Sequence, residues 1–130
     1  IISGEVDGTR GPVQGIVTEP EYLDVTLPAG SIFEHSVPKD STVIAYLFEG
    51  SWLHDFSSTD AIASEHLISF VNGDAVRVQA GDSGARFLLL SGRPIGEPVA
   101  WSGPIVMNTD EELHHAFAEY RDGTFLRRKL

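Results

Sequence analysis

The chain has 130 residues, which is enough for one domain with a hydrophobic core that does not depend on disulfides or a structural metal. It contains no cysteine, which excludes disulfides, thiolate metal ligands and a cysteine nucleophile and agrees with a cytoplasmic, reducing environment. The formal net charge of −10, with only nine Lys and Arg residues, argues against direct binding to nucleic acid.

The first half of the chain predicts short β-strands. It opens at Ile1 without an initiator Met and shows no signal peptide, so we expect a processed chain or part of a longer protein. Residues 21–27, EYLDVTL, alternate apolar and polar side chains, as a half-buried strand does. Residues 42–49, TVIAYLFE, are apolar on both faces, as in a central strand covered on each side. Their apolar run is too short to span a bilayer, so no membrane partner is expected.

Further strands are predicted between frequent turns in the middle of the chain. Asn72-Gly73 stands between two apolar-rich segments and is a strong signal for a β-hairpin. Residues 75–80 alternate, residues 85–91 are apolar on both faces, and residues 81–84 are predicted as a turn between them. The polar loop around residues 57–60 is predicted as an exposed hairpin tip. Strands at intervals of about 8–12 residues favour an antiparallel sandwich or barrel.

One convincing helix follows residues 93–104, which carry three prolines and are predicted as an irregular connector. Thr109 and Glu112 form a capping-box pattern at the start of the helix, and Gly123 can supply a left-handed cap at its end. Four apolar side chains recur at helical spacing and form one stripe: Leu113, Ala116, Phe117 and Tyr120. We expect this stripe to lie against a sheet.

Two adjacent histidines, His114 and His115, lie within this helix among four carboxylates. Neighbouring residues on a helix point about 100° apart, whereas a helical metal site places two histidines four residues apart. His115 has Glu111 and Glu119 at four-residue spacing, which predicts weak surface pairs. We therefore interpret this cluster as the solvated face of the helix rather than as a metal site.

Three other histidines, His35, His54 and His66, fall on separate predicted strands or strand ends and could converge inside a barrel. Glu49 is the acidic residue that could complete such a site for Fe, Mn, Ni or Zn. Their spacing does not require a metal site, and we favour surface or core-edge positions for them. The metal site stays the alternative.

No other constellation predicts catalysis. No serine stands in a G-x-S-x-G pattern, and residues 81–84 are not followed by the lysine of a phosphate-binding loop. Carboxylate pairs such as Glu19 and Glu21 are interpreted as surface charge.

The segment GRPIGEPVAWSGPIVMNTDEELHHAFAEYRDGTF, residues 92–125, resembles the C-terminal domain signature of the pirin family. Four further segments extend the resemblance over nearly the whole chain: residues 2–13, 22–30, 46–50 and 84–94. The resemblance implies an all-β, cupin-type double-stranded β-helix, a jelly-roll barrel, with one C-terminal α-helix packed outside it. It also implies that residues 1–130 form a single domain, the second barrel of a two-barrel protein. The barrel and connector are expected over about residues 1–108 and the helix over about residues 109–122.

For the function, the resemblance implies an iron ion in the other, N-terminal barrel, held by three histidines and a glutamate that lie outside this sequence. Some members of the family have quercetin 2,3-dioxygenase-type activity, and others regulate transcription factors or enzymes by protein contact. The chain itself is then expected to carry no catalytic residue and no cofactor. Its expected partners are the N-terminal cupin domain of the parent chain, protein partners of that parent and, through exposed apolar surface, a second copy of itself.

The cupin metal pattern can be compared with this sequence position by position. The pattern asks for His-x-His after a glycine, and His35 is followed by Val37 where the second histidine would stand. Glu49 falls beyond the usual glutamate position, and Ala85 and Arg86 stand where the last histidine is expected. One ligand of four does not make a metal site. The alternative is an autonomous small metallo-cupin of dioxygenase or isomerase type that uses the three histidines and the glutamate named above.

Overall fold

A computed structural model of the chain describes residues 1–53 and 60–126. The described residues form ten β-strands and one α-helix. In chain order these are β1 (Glu5–Val6), β2 (Thr9–Arg10), β3 (Glu21–Leu27), β4 (Ile32–Ser36), β5 (Thr42–Leu53), β6 (Ala61–Ala63), β7 (His66–Phe70), β8 (Ala75–Gly92), β9 (Ala100–Ser102), β10 (Ile105–Met107) and α1 (Asp110–Asp122). The chain divides into two compact units, Ile1–Pro94 and Ile95–Leu130. The second unit contains the helix together with most of the predicted connector.

Strand β8 organises the first unit. Its second half pairs with β3 on one side and with β5 on the other, and both pairings are antiparallel. Its first half pairs with β4 instead. Strand β5 also pairs with β6 and β7. The buried apolar residues of both halves of β8 belong to one cluster, so the two halves lie on opposite sides of one core, as in a jelly roll.

The bend in β8 lies at the glycines that the sequence predicts as a turn. Strand β8 continues through residues 81–84, so the prediction of two separate strands is wrong. Gly84 has a φ of +78°, and Gly50 of β5 has a φ of +76°. The register between β5 and β8 shifts on both sides of Gly50, and a Cβ atom there would collide with the carbonyl oxygen of Gly84. Glycine at both positions therefore lets the paired backbones of β5 and β8 approach closely and lets β8 bend without ending.

The chain turns at Asn72-Gly73, with a φ of +58° at Asn72, but the predicted hairpin is wrong. Strand β7 before the turn pairs with β5, and the start of β8 after it pairs with β4. The turn thus connects strands with different partners on different sides of the core, and a local turn signal cannot distinguish this from a hairpin. The hairpin tip predicted around residues 57–60 lies outside the described residues, except for the exposed Asp60.

Phe87 lies at the centre of the core of the first unit. It is fully buried, and its ring centroid lies 4.6 Å from that of Trp52 and 5.6 Å from that of Phe33, both in edge-on geometry. Complete burial of such a side chain contributes about 1.5–3 kcal/mol, and an aromatic pair about 0.5–1.5 kcal/mol more. Because Phe33 belongs to β4 and Trp52 to β5, these contacts hold the two sides of the core together.

The face of β5 that points away from the core is partly exposed to solvent, whereas its sequence predicted a strand covered on both faces. Alternate side chains of the strand are buried in the core, as the pleat requires. On the other side Ile44 and Phe48 are half-buried, and Tyr46 is 38% exposed. The prediction of a strand covered on both faces is therefore wrong, and an apolar sheet surface remains accessible.

In the second unit β9 and β10 form an antiparallel hairpin, with Ser102 opposite Ile105. Gly103 and Pro104 connect the two strands, and Gly103 has a φ of +53°. The prediction of an irregular connector is therefore wrong for part of residues 93–104. Strands of only three residues beside proline give too short an alternation to be recognised in a sequence.

Helix α1 has both predicted caps. The Thr109 hydroxyl accepts a hydrogen bond from the backbone N–H of Glu112, whose carboxylate in turn accepts from the backbone N–H of Thr109. Gly123 follows the helix in the left-handed conformation at a φ of +72°. The capping box thus satisfies two backbone donors that the first turn leaves without helical partners.

The apolar stripe of α1 packs on the hairpin of its own unit. Leu113 and Ala116 are buried in one cluster with Ala100 and Ile105. Tyr120 is 63% exposed, so the prediction that it belongs to the packed stripe is wrong. The stripe is narrower than the sequence suggests because a two-stranded hairpin covers only part of a helix face.

Candidate functional site at the open end of the barrel

Three polar side chains from three strands meet at the end of the barrel away from the bend in β8. Glu21 begins β3 and lies opposite Ser91 near the end of β8, while His35 of β4 lies opposite Val76 near its start. Because β8 bends in its middle, both of its ends come to the same end of the barrel. The pairings then bring Glu21 and His35 together, although they are 14 residues apart in the chain.

Glu21 is the acceptor at the centre of this cluster. Its Oε2 atom lies 3.0 Å from His35 Nε2 and 3.0 Å from Ser91 Oγ. A carboxylate only accepts, so the imidazole carries its proton on Nε2 and donates, and the serine hydroxyl donates as well. The side chains of His35 and Glu21 are only 11% and 19% exposed. The His35 ring also stacks against the Phe33 ring, with centroids 6.0 Å apart. This apolar contact restrains the orientation of the imidazole.

The interpretation of Glu21 as surface charge is wrong, whereas Glu19 is exposed as predicted. The signal that could have found Glu21 is the alternation of β3. Glu21 has the same parity as Leu23, which is 3% exposed in the core, so it faces inward. Ser91, which is 6% exposed, is an even number of residues from the buried Phe87 and therefore lies on the same, inward face of β8.

A cavity of about 690 Å³ opens beside this cluster. Glu21 and Ser91 form part of its lining, and the segment before β3 forms one wall with Ser3, Gln14 and Ile16. Further lining residues come from the loop after β4 and the end of β8: Pro38, Asp40, Ser41 and Arg93. The cavity lies entirely within the first unit.

The wall of the cavity is tied to β3 by backbone and side-chain hydrogen bonds. Ser3 and Tyr22 exchange two backbone bonds, and the Ser3 hydroxyl donates to the carbonyl oxygen of Pro20 at 2.7 Å. Gly4 lies against Glu21 so closely that a Cβ atom there would be 2.8 Å from Glu21 Cγ. The wall is therefore part of the folded structure and not a loose end beside it.

The residues of the alternative metal site are not brought together by the described structure. His66 is exposed, and its Nδ1 lies 3.1 Å from the carbonyl oxygens of both Ala63 and Ser64. Glu49 is exposed, with its carboxylate 3.7 Å from Arg86 Nη1, and His54 lies outside the described residues. Over residues 1–53 and 60–126, no group of three or more His, Cys, Asp or Glu side chains could hold a metal ion.

The helical histidines lie on a solvated face, as predicted. His114 and His115 are exposed, and His115 Nε2 lies 3.5 Å from Glu119 Oε1, one helical turn further on. Exposed pairs of this kind contribute a few tenths of a kcal/mol.

A second feature of the first unit is the apolar outward surface of its main sheet, here called the outer face. The outer face consists of seven side chains on four adjacent strands: Tyr22, Ile44, Tyr46, Phe48, Leu67, Leu88 and Leu90. Register places Tyr22, Leu90 and Ile44 in one row across the strands. The next row holds Leu88, Tyr46 and Leu67, of which Leu67 is 65% exposed.

Arg86 borders the outer face. It binds Asp24 through two hydrogen bonds, Nε to Oδ1 at 3.0 Å and Nη2 to Oδ2 at 2.7 Å. Its guanidinium also lies over the Phe48 ring, 5.0 Å from the centroid. The hydrogen bonds from Arg86 lower the pKa of Asp24, and Asp24 raises the pKa of Arg86. The pair is therefore held in one geometry at the edge of an apolar surface.

The bent central strand, the two-sided core and the cavity at one end define a cupin-type jelly-roll domain. The family model described as the pirin C-terminal cupin domain matches residues 22–126, and the chain belongs to the pirin family. The predicted all-β fold with one C-terminal helix is confirmed. In the part of the chain that the structure describes, no helix is long and apolar enough to cross a membrane.

Known proteins resemble the chain over almost its whole length. It is 44% identical to a pirin-like protein of Caulobacter vibrioides, covering 96% of this chain and 44% of that protein. It is 38% identical to Pirin-1 of Arabidopsis thaliana, covering 94% of this chain and 43% of that protein. A solved quercetin 2,3-dioxygenase from Acinetobacter baumannii matches with a TM-score of 0.82 at 26% identity, covering 95% of this chain and 42% of that chain. The chain thus spans less than half the length of each.

Proposed function

We propose that this domain is the second, C-terminal barrel of a cytoplasmic two-barrel pirin. In this proposal it is non-catalytic, carries no metal or cofactor of its own, and supports and partly walls an iron-bearing N-terminal barrel. The longer protein is then an iron-binding pirin with quercetin 2,3-dioxygenase-like activity or a regulatory role through protein binding. The likeness to pirins and to a quercetin 2,3-dioxygenase supports this assignment of the family role.

The observation that carries the proposal is the outer face. Contiguous apolar surface is uncommon on a monomer and usually marks an interaction site. Here Tyr46 of the central strand β5 is 38% exposed, and Leu67 of the adjacent strand β7 is 65% exposed. Another barrel of the same protein is the occupant that fits, since this chain covers only 44% of its Caulobacter relative.

The Arg86–Asp24 pair favours binding of a specific partner over non-specific hydrophobic association. A bidentate pair at the rim of an apolar surface offers oriented polar groups and disfavours partners with unmatched charge. Because Asp24 and the Phe48 ring already hold Arg86, little side-chain entropy is lost when a partner binds.

The metal-free part of the proposal rests on what the candidate ligands contact. His35, the one residue that fits the cupin pattern, directs Nε2 to Glu21. His66 and Glu49 are both exposed, with a backbone carbonyl and a guanidinium respectively as their nearest polar partners.

The docking role can be tested with the Caulobacter relative. The part of that protein outside the matched region is expressed separately and titrated with this chain in a calorimeter. We expect binding that is weakened at least about tenfold by Tyr46→Glu, because a charge would be buried against apolar surface. Ile32→Glu is the matched control, since Ile32 is an apolar strand residue, 48% exposed, that is not part of the outer face. Equal effects of the two substitutions would contradict the docking role.

Self-association gives a second readout on the chain alone. We expect concentration-dependent dimers in sedimentation velocity, reduced by Tyr46→Glu and unchanged by Ile32→Glu. Metal content is tested separately by elemental analysis of the purified chain. A transition metal at a ratio near one per chain that His35→Ala abolishes would refute the metal-free role and favour the metallo-cupin alternative.

A further inference from the structure

We infer that the cavity at the open end of the barrel is a binding site for a small organic cation, a protonated amine on an apolar body, held by Glu21. This site is separate from the outer face and does not depend on a second barrel. A failure here would therefore leave the docking proposal intact, and a failure of docking would leave this site intact.

The first argument is that Glu21 is held in place while part of its carboxylate stays available. Both of its hydrogen bonds, from His35 and Ser91, end on Oε2. Within the described part of the chain, no hydrogen bond reaches Oε1. Glu21 also lines the cavity, so Oε1 is the atom to which a ligand could donate. A carboxylate fixed by its neighbours loses little freedom when it binds a donor.

The second argument is the sign of the charge around the cavity. Its lining contains four carboxylates, from Glu5, Glu19, Glu21 and Asp40, against two guanidinium groups. Arg10 forms an ion pair with Glu5, with Arg10 Nε 2.7 Å from the Glu5 carboxylate. Arg93 is exposed and donates to the carbonyl oxygen of Val17. The Glu5–Arg10 pair cancels, which leaves three carboxylates, from Glu19, Glu21 and Asp40, against the positive charge of Arg93. The net charge of the lining is therefore negative, which attracts a cation and repels a carboxylate or phosphate.

The third argument is the size and the apolar part of the wall. A volume of about 690 Å³ lies within the range of about 300–1,000 Å³ that small-molecule sites occupy. Val13, Ile16, Pro20 and Pro38 give the lining an apolar portion beside the carboxylate. A ligand that matches both parts carries an ammonium group at one end and a hydrocarbon or aromatic body at the other.

The structure of the wall indicates that the site is formed before a ligand arrives. The backbone of Ser3 is bonded to Tyr22 in both directions, and Gly11 donates its N–H to the carbonyl oxygen of Gly4. These bonds connect the first strands of the chain to β3, which carries Glu21. Binding then needs no large rearrangement of the backbone.

The test is a titration of the intact chain with phenethylamine, followed by amide NMR shifts. We expect saturable shifts at Ser91, Ser3 and Gln14 and none at Gly73, which lies outside the cavity lining. The anion 3-phenylpropionate, which has a similar body and the opposite charge, should not bind. Glu21→Gln should weaken phenethylamine binding by about tenfold or more, because it replaces an ionic hydrogen bond with a neutral one. Asp82→Asn, at an exposed carboxylate outside the cavity lining, should change it less than about twofold.

Each outcome is decisive once folding of the variants is verified by circular dichroism. Equal affinity in the Glu21→Gln variant and the unmodified chain overturns the site, and so does equal binding of amine and carboxylate. Shifts that avoid Ser91 also overturn it. If Glu21→Gln does not fold, the comparison of the two ligands on the unmodified chain decides the question, together with Ser91→Ala, which should weaken binding by freeing Glu21.

Discussion

His35 donates a hydrogen bond from Nε2 to Glu21 Oε2 across 3.0 Å, between two consecutive strands that pair with different halves of β8. His35 is also the one residue that fits the cupin ligand pattern. Its partner is a carboxylate of the protein, and both side chains are largely buried. A partly buried carboxylate needs such donors, because an uncompensated one would be costly. The same contact therefore connects β3 and β4 at this end of the barrel and positions the acid of the proposed amine site.

Removal of the imidazole should destabilise the first unit. His35→Ala takes away one of two donors to Glu21, and we expect a loss of about 1–3 kcal/mol in the free energy of unfolding. His66→Ala, at an exposed position, should cost no more than about 0.5 kcal/mol. Urea unfolding followed by the fluorescence of Trp52, in a Trp101→Phe background, measures both. Equal losses would mean that the His35–Glu21 contact contributes nothing.

The core should be most sensitive at Phe87. Its ring is 0% exposed and contacts rings on both sides of the core, so Phe87→Ala should cost about 3–5 kcal/mol. Leu67→Ala, at a side chain that is 65% exposed, should cost less than about 1 kcal/mol in the same unfolding experiment. A loss at Phe87 no larger than at Leu67 would contradict the described packing.

The close approach of the paired strands β5 and β8 should not tolerate a side chain at Gly50. Gly50→Ala combines a left-handed φ of +76° with a collision against the Gly84 carbonyl oxygen, so we expect a loss well above 2 kcal/mol or failure to fold. Gly30→Ala is the control, since its φ of +69° is similar but no atom lies within 4 Å of the added Cβ. That substitution should cost only the backbone strain of about 1–2 kcal/mol. Similar unfolding midpoints would show that the two backbones do not approach closely.

The Asp24–Arg86 pair should make stability depend on acid pH. The pKa of Asp24 is lowered in the folded chain, mainly by its hydrogen bond from Arg86. Its contribution is therefore present above the ordinary aspartate pKa and is lost as the pH falls through the lowered value. We expect Asp24→Asn to reduce stability at neutral pH and to approach the unmodified chain as the pH falls through the lowered pKa of Asp24.

Asp82→Asn, at an exposed aspartate in the bend of β8, is the control for that titration. It should leave the free energy of unfolding at neutral pH nearly unchanged, because its side chain is exposed. A constant difference between Asp24→Asn and the unmodified chain across the acid range would show that the ion pair does not stabilise the fold.

The capping box should determine how well α1 forms. Thr109→Ala removes the hydroxyl that accepts from the Glu112 N–H, and we expect a loss of about 1 kcal/mol. Thr109→Ser retains the acceptor and should stay within about 0.3 kcal/mol. Thermal melts followed by far-ultraviolet circular dichroism measure both. Equal melting temperatures of the Thr109→Ala and Thr109→Ser variants would show that the cap does not stabilise the helix.

Sequence patterns predicted the helix caps and the strand alternation correctly, because these features depend on residues close together in the chain. The capping box at Thr109, the left-handed cap at Gly123 and the alternation of β3 are all confirmed. Each depends on side chains and backbone groups only a few residues apart. The resemblance over residues 92–125 also predicted the family and the all-β fold before any geometry was known.

Three of the predictions that are wrong required knowledge of distant partners. Asn72-Gly73 signals a turn correctly, but the hairpin is absent because each adjoining strand pairs elsewhere. Residues 81–84 have the composition of a turn between two strands. In the structure they belong to one continuous strand, β8, which bends where Gly84 lies against Gly50 of β5. The stripe of α1 meets a hairpin that covers too little of it to include Tyr120.

The sequence by itself determined the family through the resemblance of residues 92–125. It also determined the short β-strands and the capped helix α1, because these depend on periodicity and short-range hydrogen bonds. Only the tertiary structure decided that Glu21, His35 and Ser91 form one cluster beside a cavity, and that one side of β5 remains open. The physical reason is the bend in β8, which brings together residues that no spacing along the chain connects.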